Sequence, residues 1–188
     1  MSNMLLNTKV LQILEEFSSD YSKRIYGRNI AKQLKMNQKT VSNILNKLEK
    51  ENILKFSYEG KNKYYYLNMF NSTIKEIIKL AEIDRKIRFI ARNKNLKELF
   101  DNLEEKTQGI LVVFGSYAKG INAKKSDLDI FIMGKISDVG DLEDLYDIKI
   151  NLIKSDKNKF DKREPVIAEI IKNHIVLKGV EEFIKLLW

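Results

Sequence analysis

The sequence predicts a two-domain α/β protein of the α+β kind, with helices and strands largely separate along the chain. Residues 8–51 show helical spacing of apolar side chains, and two short strand patterns follow around Glu59-Gly60-Lys61-Asn62. Near the other end, continuous apolar runs alternate with helical stretches, which is typical of buried strands flanked by helices. The predicted parts are residues 1–69, a helical connector over 70–107, and 108–188.

Composition excludes several classes of protein. The chain of 188 residues is 44% apolar, which is ordinary for a globular protein, and it lacks cysteine, so no disulfide framework or thiolate metal site is expected. The apolar runs are too short to span a bilayer and the first residues show no signal-peptide pattern, so we expect a cytoplasmic protein with no membrane partner.

The positive charge is concentrated in the first part of the chain. The formal net charge is +8; residues 1–70 carry 12 Lys and Arg against 6 Asp and Glu, a balance of +6, whereas residues 108–188 hold 13 of each sign. Such a bias is expected where a protein contacts a polyanion.

The first part is predicted to hold three helices and a hairpin. The third helix has apolar residues at i, i+3, i+4 and i+7, and the two strands flank a glycine turn. The predicted helices are Thr8–Phe17, Arg28–Leu34 and Gln38–Glu51, and the predicted strands are Ile53–Tyr58 and Lys63–Leu67.

This order of elements, with Asn29–Leu34 and Val41–Leu48, resembles the winged helix-turn-helix of small prokaryotic transcription regulators, over roughly residues 7 to 68. The resemblance implies that the third helix enters the major groove of double-stranded DNA. It also implies a homodimer, because one helix reads only half of a site. The DNA-binding residues expected on this basis are Gln38, Lys39, Thr40, Ser42, Asn43 and Asn46 on the helix, and Lys61 and Lys63 at the hairpin tip.

The connecting segment is predicted to form two or three helices. Ile74, Ile77, Ile78 and Ala81 fit one helical face, while Ile87 and Ile90, then Leu96, Leu99, Phe100 and Leu103, fit others. The sequence leaves two interpretations of this segment open, a packing spacer and a dimerisation segment. Thr107-Gln108-Gly109 is the predicted boundary before the last part.

The residues with the clearest chemistry adjoin two apolar runs. Ile110–Phe114 ends in Gly115-Ser116, and Ile130–Met133 is preceded by Asp127 and Asp129. Acids at i and i+2 of a strand point to one face, roughly 7 Å apart at Cα, so both can reach the same divalent cations. The glycine permits close approach of the backbone to a phosphate, and the serine with the following amides can bind it.

This pattern resembles the nucleotidyltransferase superfamily that includes DNA polymerase beta, and most closely its minimal bacterial and archaeal members. Their signature is Gly-Ser-x-Ala-Arg-Gly followed by Ser-Asp-x-Asp, and the resemblance covers roughly residues 108 to 180. It implies a mixed sheet flanked by helices, in which Asp127 and Asp129 bind Mg²⁺ or Mn²⁺. It further implies that Gly115, Ser116 and Lys119 contact a nucleoside triphosphate, with lysine standing where the family usually has arginine.

The remaining elements complete the predicted sheet. A helix or turn is expected over Asp141–Asp147, strands over Lys149–Ile153 and Ile175–Leu177, and helices over Val166–Lys172 and Val180–Trp188. His174, the only histidine, is expected to be a helix cap or a surface residue, and Trp188 a packing residue.

Asn151 departs from the resemblance. Active members of the superfamily carry a third carboxylate at this catalytic position on the third strand, whereas Ile150-Asn151-Leu152 offers an amide. An amide can give Mg²⁺ a neutral oxygen but cannot act as a base. Asp147, the nearest acid, is not expected to replace it.

Three functions remain open from the sequence. The favoured one is a DNA-binding regulator whose nucleotidyltransferase-fold domain binds Mg-NTP, with weak or no transfer. The second is an active enzyme that moves NMP from NTP to a hydroxyl of a protein, as an antitoxin does to a partner toxin, or of a small molecule. The third is a catalytically inactive module that binds protein. An RNA target is not favoured, because no stacking-aromatic motif of the usual RNA modules is evident.

Overall fold

The structure is a computed structural model that describes residues 7–123 and 125–188. It confirms the mixed α/β class, with helices beside two separate sheets. The chain divides into two compact units: unit 1 holds the residues up to Asp84 together with Leu187 and Trp188, and unit 2 holds Arg85–Leu186. This division falls inside the predicted connector, residues 70–107.

Unit 1 consists of helices and a three-stranded antiparallel sheet in the order β1-β3-β2. The predicted helices and hairpin strands are present within about two residues of their expected bounds. The elements are α1 Thr8–Glu15, β1 Ile25–Tyr26, α2 Gly27–Gln33, α3 Gln38–Lys50, β2 Leu54–Glu59 and β3 Asn62–Leu67.

Strand β1 lies in the stretch from Asp20 to Tyr26, for which the sequence predicts a loop or the start of the next turn. It forms because Ile25 and Tyr26 pair with Tyr65 and Tyr64 of β3, and two residues are too few to show a strand period in the sequence.

Local signals explain how α3 and the hairpin form. The Asn37 side chain accepts a hydrogen bond from the Lys39 amide and so caps α3, whose Val41, Leu45 and Leu48 are buried. Glu59 pairs with Asn62, which leaves a two-residue loop that begins with Gly60 at φ +60°. Glycine adopts this angle without the steric cost that other residues meet.

Helix α4, Ile74–Arg92, is continuous where the chain divides into its units. Its predicted apolar face is buried at Ile74, Ile77, Ile78 and Ala81, whereas Ile87 is 60% exposed. A 3₁₀ turn, Lys94–Leu96, and helix α5, Lys97–Lys106, follow. The apolar residues predicted for these last two elements are buried: Leu96, Leu99, Phe100 and Leu103.

Unit 2 is built around a four-stranded sheet in the order β6-β5-β4-β7. The pair β5–β6 is parallel and the pairs β4–β5 and β4–β7 are antiparallel. Its core joins Leu111 and Ile130 of the sheet to Phe89 and Phe100 of the helices. The elements are β4 Thr107–Val113, α6 Gly115–Lys119, β5 Leu128–Ile136, α7 Gly140–Tyr146, β6 Ile150–Ser155, α8 Pro165–Lys172, β7 Ile175–Lys178 and α9 Val180–Leu187.

The residues predicted as the boundary, Thr107-Gln108-Gly109, begin strand β4. Helix α5 ends at Lys106, and Thr107, the next residue, pairs with Ile136. The Thr107 side chain is buried and its hydroxyl donates to the carbonyl of Leu103 at 2.7 Å. These polar residues therefore belong to the sheet.

His174 is buried, so the surface alternative for this residue is wrong and the capping alternative fits. Its Nδ1 donates to the carbonyl of Ile171 at 2.7 Å, in the last turn of α8. Its ring packs against Phe183, with 4.8 Å between the centroids. Among the residues that the structure describes, we find no helix with the length and apolar character needed to cross a membrane.

Candidate functional site

The structure brings the two predicted acids and Asn151 together at one edge of β5 and β6. The parallel register places Asp129 opposite Asn151. The Asn151 Nδ2 donates to Asp129 Oδ1 at 3.0 Å and to Asp127 Oδ2 at 3.3 Å. One amide group therefore bridges both carboxylates, and it lies at the strand position where the resemblance places a third acid.

Gly115 fits against Asp129 in a way that only glycine allows. The amide of Phe114 donates to the Asp129 carbonyl at 3.0 Å, which brings the start of α6 to the edge of β5. Gly115 has φ +68°, and a Cβ added to it would lie 2.2 Å from Asp129 Oδ2. Ser116, the next residue, is partly exposed. Two predicted features of the site, the glycine and the second acid, are thus in direct contact.

Lys119 makes a contact that the sequence did not predict. Its Nζ lies 2.6 Å from Glu169 Oε1 of α8, and the side chains are 38% and 37% exposed. The hydrogen bond from Lys119 is the main reason that the pKa of Glu169 lies below its ordinary value. A contact of Lys119 with phosphate would require its ammonium to leave or share this carboxylate.

Lys149 is the residue near the acids that sequence reasoning missed, and Asp147, which the sequence did not favour as a third acid, lies near them as well. Lys149 Nζ lies 3.9 Å from Asp127 Oδ2. A cleft of about 630 Å³ beside Asp127 is also lined by Asp147, which ends α7 at φ +49°. The register of β5 and β6 was the missing signal, because pairing Asp129 with Asn151 places Lys149 opposite Asp127.

The oxygen atoms at this site fit a cation that also takes ligands from a substrate and from water. Asp127 and Asp129 supply two carboxylates, and Asn151 could add one neutral oxygen only if its amide turned. Within residues 7–123 and 125–188, no group of three or more His, Cys, Asp or Glu could hold a metal ion. Mg²⁺ commonly combines one or two protein carboxylates with substrate phosphates and water, and this pair matches that pattern.

In unit 1, most of the residues predicted to bind DNA lie on the exposed side of α3. Arg28, which the sequence reasoning missed, joins Lys39 in lining a groove of about 440 Å³ along this helix. Asn46 accepts a hydrogen bond from the Tyr65 hydroxyl at 3.0 Å. The exposed predicted residues are Gln38, Lys39, Ser42, Asn43, Asn46 and Lys61, and Thr40 is partly exposed.

Lys63 lies in the strand predicted for it, but its side chain makes contacts that the expected DNA-binding role did not include. Its Nζ is 2.6 Å from Glu49 Oε2 of α3 and 4.0 Å from the ring centre of Phe56. Burial alone would lower the pKa of Lys63, but hydrogen bonds with Glu49 and Tyr65 raise it. These contacts make Lys63 a packing residue between the hairpin and α3.

Comparison with known proteins agrees with the geometry of unit 2. The family model described as nucleotidyltransferase domain matches residues 93–186, half of the 188-residue chain. The match includes Gly115, both acids and Asn151. No curated protein and no solved structure matches the chain. With the strand register and the glycine contact described above, the family match leads to one conclusion: the chain belongs to the nucleotidyltransferase domain family.

Proposed function

We propose that this protein is a DNA-binding transcription regulator whose nucleotidyltransferase domain binds Mg-NTP and has weak or no transfer activity. The observation that carries the nucleotide half of the proposal is the contact of the Asn151 amide with Asp127 and Asp129. The amide donates hydrogen bonds where a third carboxylate would accept a proton and ligate a metal. The site thus keeps two acids and lacks a third.

The missing acid affects transfer more than binding. A positioned general base typically contributes ~10²–10⁴-fold to rate, and an amide cannot take that role. Binding of a metal-nucleotide complex depends instead on opposite charge and on hydrogen-bond donors, which Asp127, Asp129 and the amides near Ser116 would supply. The domain is therefore suited to bind a nucleotide and poorly suited to catalyse its transfer.

The residues of the site would divide the binding of cation and phosphates among them. Asp127 and Asp129 would hold the cation, which neutralises phosphate charge when it is bound. Gly115 lets the backbone approach the phosphates, and Ser116 would donate to them. Lys149, 3.9 Å from Asp127, partly offsets the negative charge of the acids.

Exposed polar residues and charge support the DNA-binding half of the proposal. The order of α1, α2, α3 and the hairpin agrees with the winged helix-turn-helix interpretation, in which α3 enters the major groove. The first 70 residues hold a charge balance of +6, from 12 basic and 6 acidic residues. Gln38, Ser42 and Asn43 offer hydrogen bonds to base edges, and Arg28 and Lys39 offer charge to phosphates. A homodimer would present two such helices to a two-fold DNA site.

The nucleotide half is tested by calorimetry and a transfer assay on the same preparations. We would measure binding of each Mg-NTP, and then pyrophosphate release with Mg²⁺ or Mn²⁺, for wild type, Asn151→Asp and Asp129→Asn. We expect wild type to bind nucleotide with little release, Asn151→Asp to gain release, and Asp129→Asn to lose binding. Wild type without Mg²⁺-dependent nucleotide affinity would overturn this half and point to a protein-binding module.

The DNA half is tested by binding to the duplex upstream of the protein's own gene across a range of salt concentrations. Duplex affinity should fall steeply as salt rises, because phosphate contacts release counterions. Gln38→Ala should weaken binding to the preferred DNA sequence more than binding to a random sequence, whereas Lys39→Gln should weaken binding to both. Absence of salt-sensitive binding would overturn this half.

An active nucleotidyltransferase is the second candidate function. The contact of Gly115 with Asp129 favours it, because it holds the start of α6, where Ser116 would meet a phosphate, beside an acid that would hold the cation. The acceptor would be a hydroxyl of a partner protein, as in antitoxins of this type, or of a small molecule. Release in wild type that Asp129→Asn abolishes would establish this alternative.

A further inference from the structure

The two faces of the unit 1 sheet differ in how deeply their side chains are buried. In β3, Tyr65 and Leu67 are buried, so the alternate residues Tyr64 and Tyr66 point to the opposite face. Both are partly exposed. Tyr26 of β1 pairs with Tyr64, and their ring centroids are 5.8 Å apart. We call the surface formed by Tyr26, Tyr64, Tyr66, Arg24 and Lys55 the outer tyrosine face.

Positive side chains flank these rings. The guanidinium of Arg24 lies 5.5 Å from the ring centre of Tyr66. Lys55 is exposed and pairs with Tyr66 across β2 and β3, so it borders the same ring from the other side. Arg24 also lies 4.0 Å from Glu59, in a contact where both side chains are 57% exposed and solvent weakens the attraction. The face thus combines aromatic rings with two cations: Arg24, which lies over one side of the Tyr66 ring, and Lys55 at the margin.

We propose that the outer tyrosine face binds single-stranded nucleic acid. Aromatic rings on a sheet surface stack unpaired bases, and neighbouring basic residues follow the phosphate chain. Tyr64 and Tyr66 lie two residues apart on one strand, a spacing of roughly 7 Å that matches successive bases held apart on a sheet. A duplex does not satisfy this surface, because its bases are stacked on one another and cannot lie on the rings.

The proposal is separate from duplex recognition by α3. The residues assigned to the duplex are those of α3 together with Arg28 and Lys61, and the groove along α3 is also lined by Lys63, Tyr65 and Tyr26. Tyr26 borders both surfaces, so the variants are placed at Tyr64 and Tyr66, which are not among the residues that line the groove. The outer tyrosine face uses the alternate residues of the same strand. Failure of one proposal therefore leaves the other in place, and variants can separate them.

The test measures anisotropy of fluorescein-labelled oligo-dT and oligo-U, each about 12 nucleotides long, a length within the usual site size of such surfaces. The full chain is used as wild type, Tyr64→Leu and Tyr66→Leu. Leucine keeps an apolar side chain on the strand and removes the ring. The matched control is Tyr58→Leu, because Tyr58 is 65% exposed and lies on the other face of the same sheet.

We expect wild type to bind at least one oligomer, Tyr64→Leu and Tyr66→Leu to weaken binding about 10-fold each, and Tyr58→Leu to change it less than about 2-fold. The dT and U arms show whether the strand is DNA or RNA. No binding by wild type, or an equal loss in Tyr58→Leu, would overturn the proposal.

Two further measurements keep the test decisive. Arg24→Gln and Lys55→Gln leave the tyrosines in place, so they replace the leucine variants if those fail to fold, and each should reduce the salt dependence of binding. A duplex of the same length should compete weakly. If Tyr66→Leu weakened duplex binding as much as oligomer binding, the face would belong to duplex recognition and the single-strand proposal would be wrong.

Discussion

The acid site of unit 2 and the α3 surface of unit 1 are held in different ways. Asp129 and Asn151 meet because two strands pair in one register, and Gly115 touches Asp129 because its backbone has a positive φ. The residues of α3 that face solvent are instead set by helical spacing alone, and several are exposed. The backbone therefore determines the geometry of the acid site, whereas the α3 surface is a set of replaceable side chains.

This difference explains why the two regions differ in how firmly function can be assigned. A backbone-determined site leaves a pattern of glycine, acids and strand spacing that a family model can match, as it does over residues 93–186. A solvated helix face can serve DNA, protein or solubility with the same residues. Variants that separate backbone effects from side-chain effects would sharpen the comparison.

Substitution of glycine is expected to have the largest effect. Gly115→Ala combines a positive φ with a Cβ 2.2 Å from Asp129 Oδ2, so the variant should lose about 3–5 kcal/mol of unfolding free energy and its Mn²⁺ binding. Gly60→Ala is the matched control, since it has φ +60° with no atom within 4 Å of the added Cβ; it should cost about 1–2 kcal/mol. Urea unfolding measures the free energy of unfolding of both variants, and Mn²⁺ titration measures their metal binding. If Gly60→Ala lost as much stability as Gly115→Ala, the backbone at Gly115 would not be more constrained than an ordinary turn.

Asn151→Asp should destabilise the metal-free protein by about 1–3 kcal/mol. The change removes two hydrogen bonds donated to Asp127 and Asp129 and adds a third negative charge beside them. Mn²⁺ should restore the loss, because the cation neutralises the three carboxylates. Thermal unfolding with EDTA and with Mn²⁺ measures this, with Asn151→Leu as the control that lacks the added charge. A variant as stable as wild type in EDTA would show that the amide contact contributes little.

The two hairpin lysines should differ in which property they change. Lys61→Gln should lower the salt slope of duplex binding by about 1, because an exposed tip lysine neutralises one phosphate. Lys63→Gln should leave that slope unchanged and cost about 1 kcal/mol of stability, because Lys63 is paired with Glu49 and lies over Phe56. Binding isotherms at several salt concentrations and urea unfolding measure the pair. The reverse result would return Lys63 to the DNA surface.

The smallest effect is expected for the ion pair of Lys119 and Glu169. The folded pKa of Glu169 lies below the unfolded one, so its stabilisation is present at neutral pH and is lost as pH falls through the folded pKa. Glu169→Gln should therefore cost less than about 1 kcal/mol at pH 7, and the difference from wild type should shrink below pH 4. Urea midpoints measured at both pH values check this. A gap that widened in acid would contradict the assignment.

Much of the fold and the centre of the site could be predicted from the sequence, because both depend on local periodicity and on one compact motif. Helix α3 and strand β5 are examples, and Asp129 with Asn151 follow from their strands. The pairing of Lys149 with Asp127 and of Lys63 with Glu49 could not be predicted, because each depends on how separate elements align. The burial of Thr107 could not be predicted either, because a polar side chain can be buried when its hydroxyl bonds to a carbonyl.

Asn151 can also be changed to aspartate chemically, after the protein has been made. Hydrolysis of its side-chain amide to aspartate yields the third carboxylate without any mutation. If Asn151→Asp gains transfer activity, a trace of molecules hydrolysed in this way in a stored sample would imitate a slow wild-type enzyme. Freshness of the sample, checked by the mass of the peptide that contains residue 151, thus decides what any faint activity means.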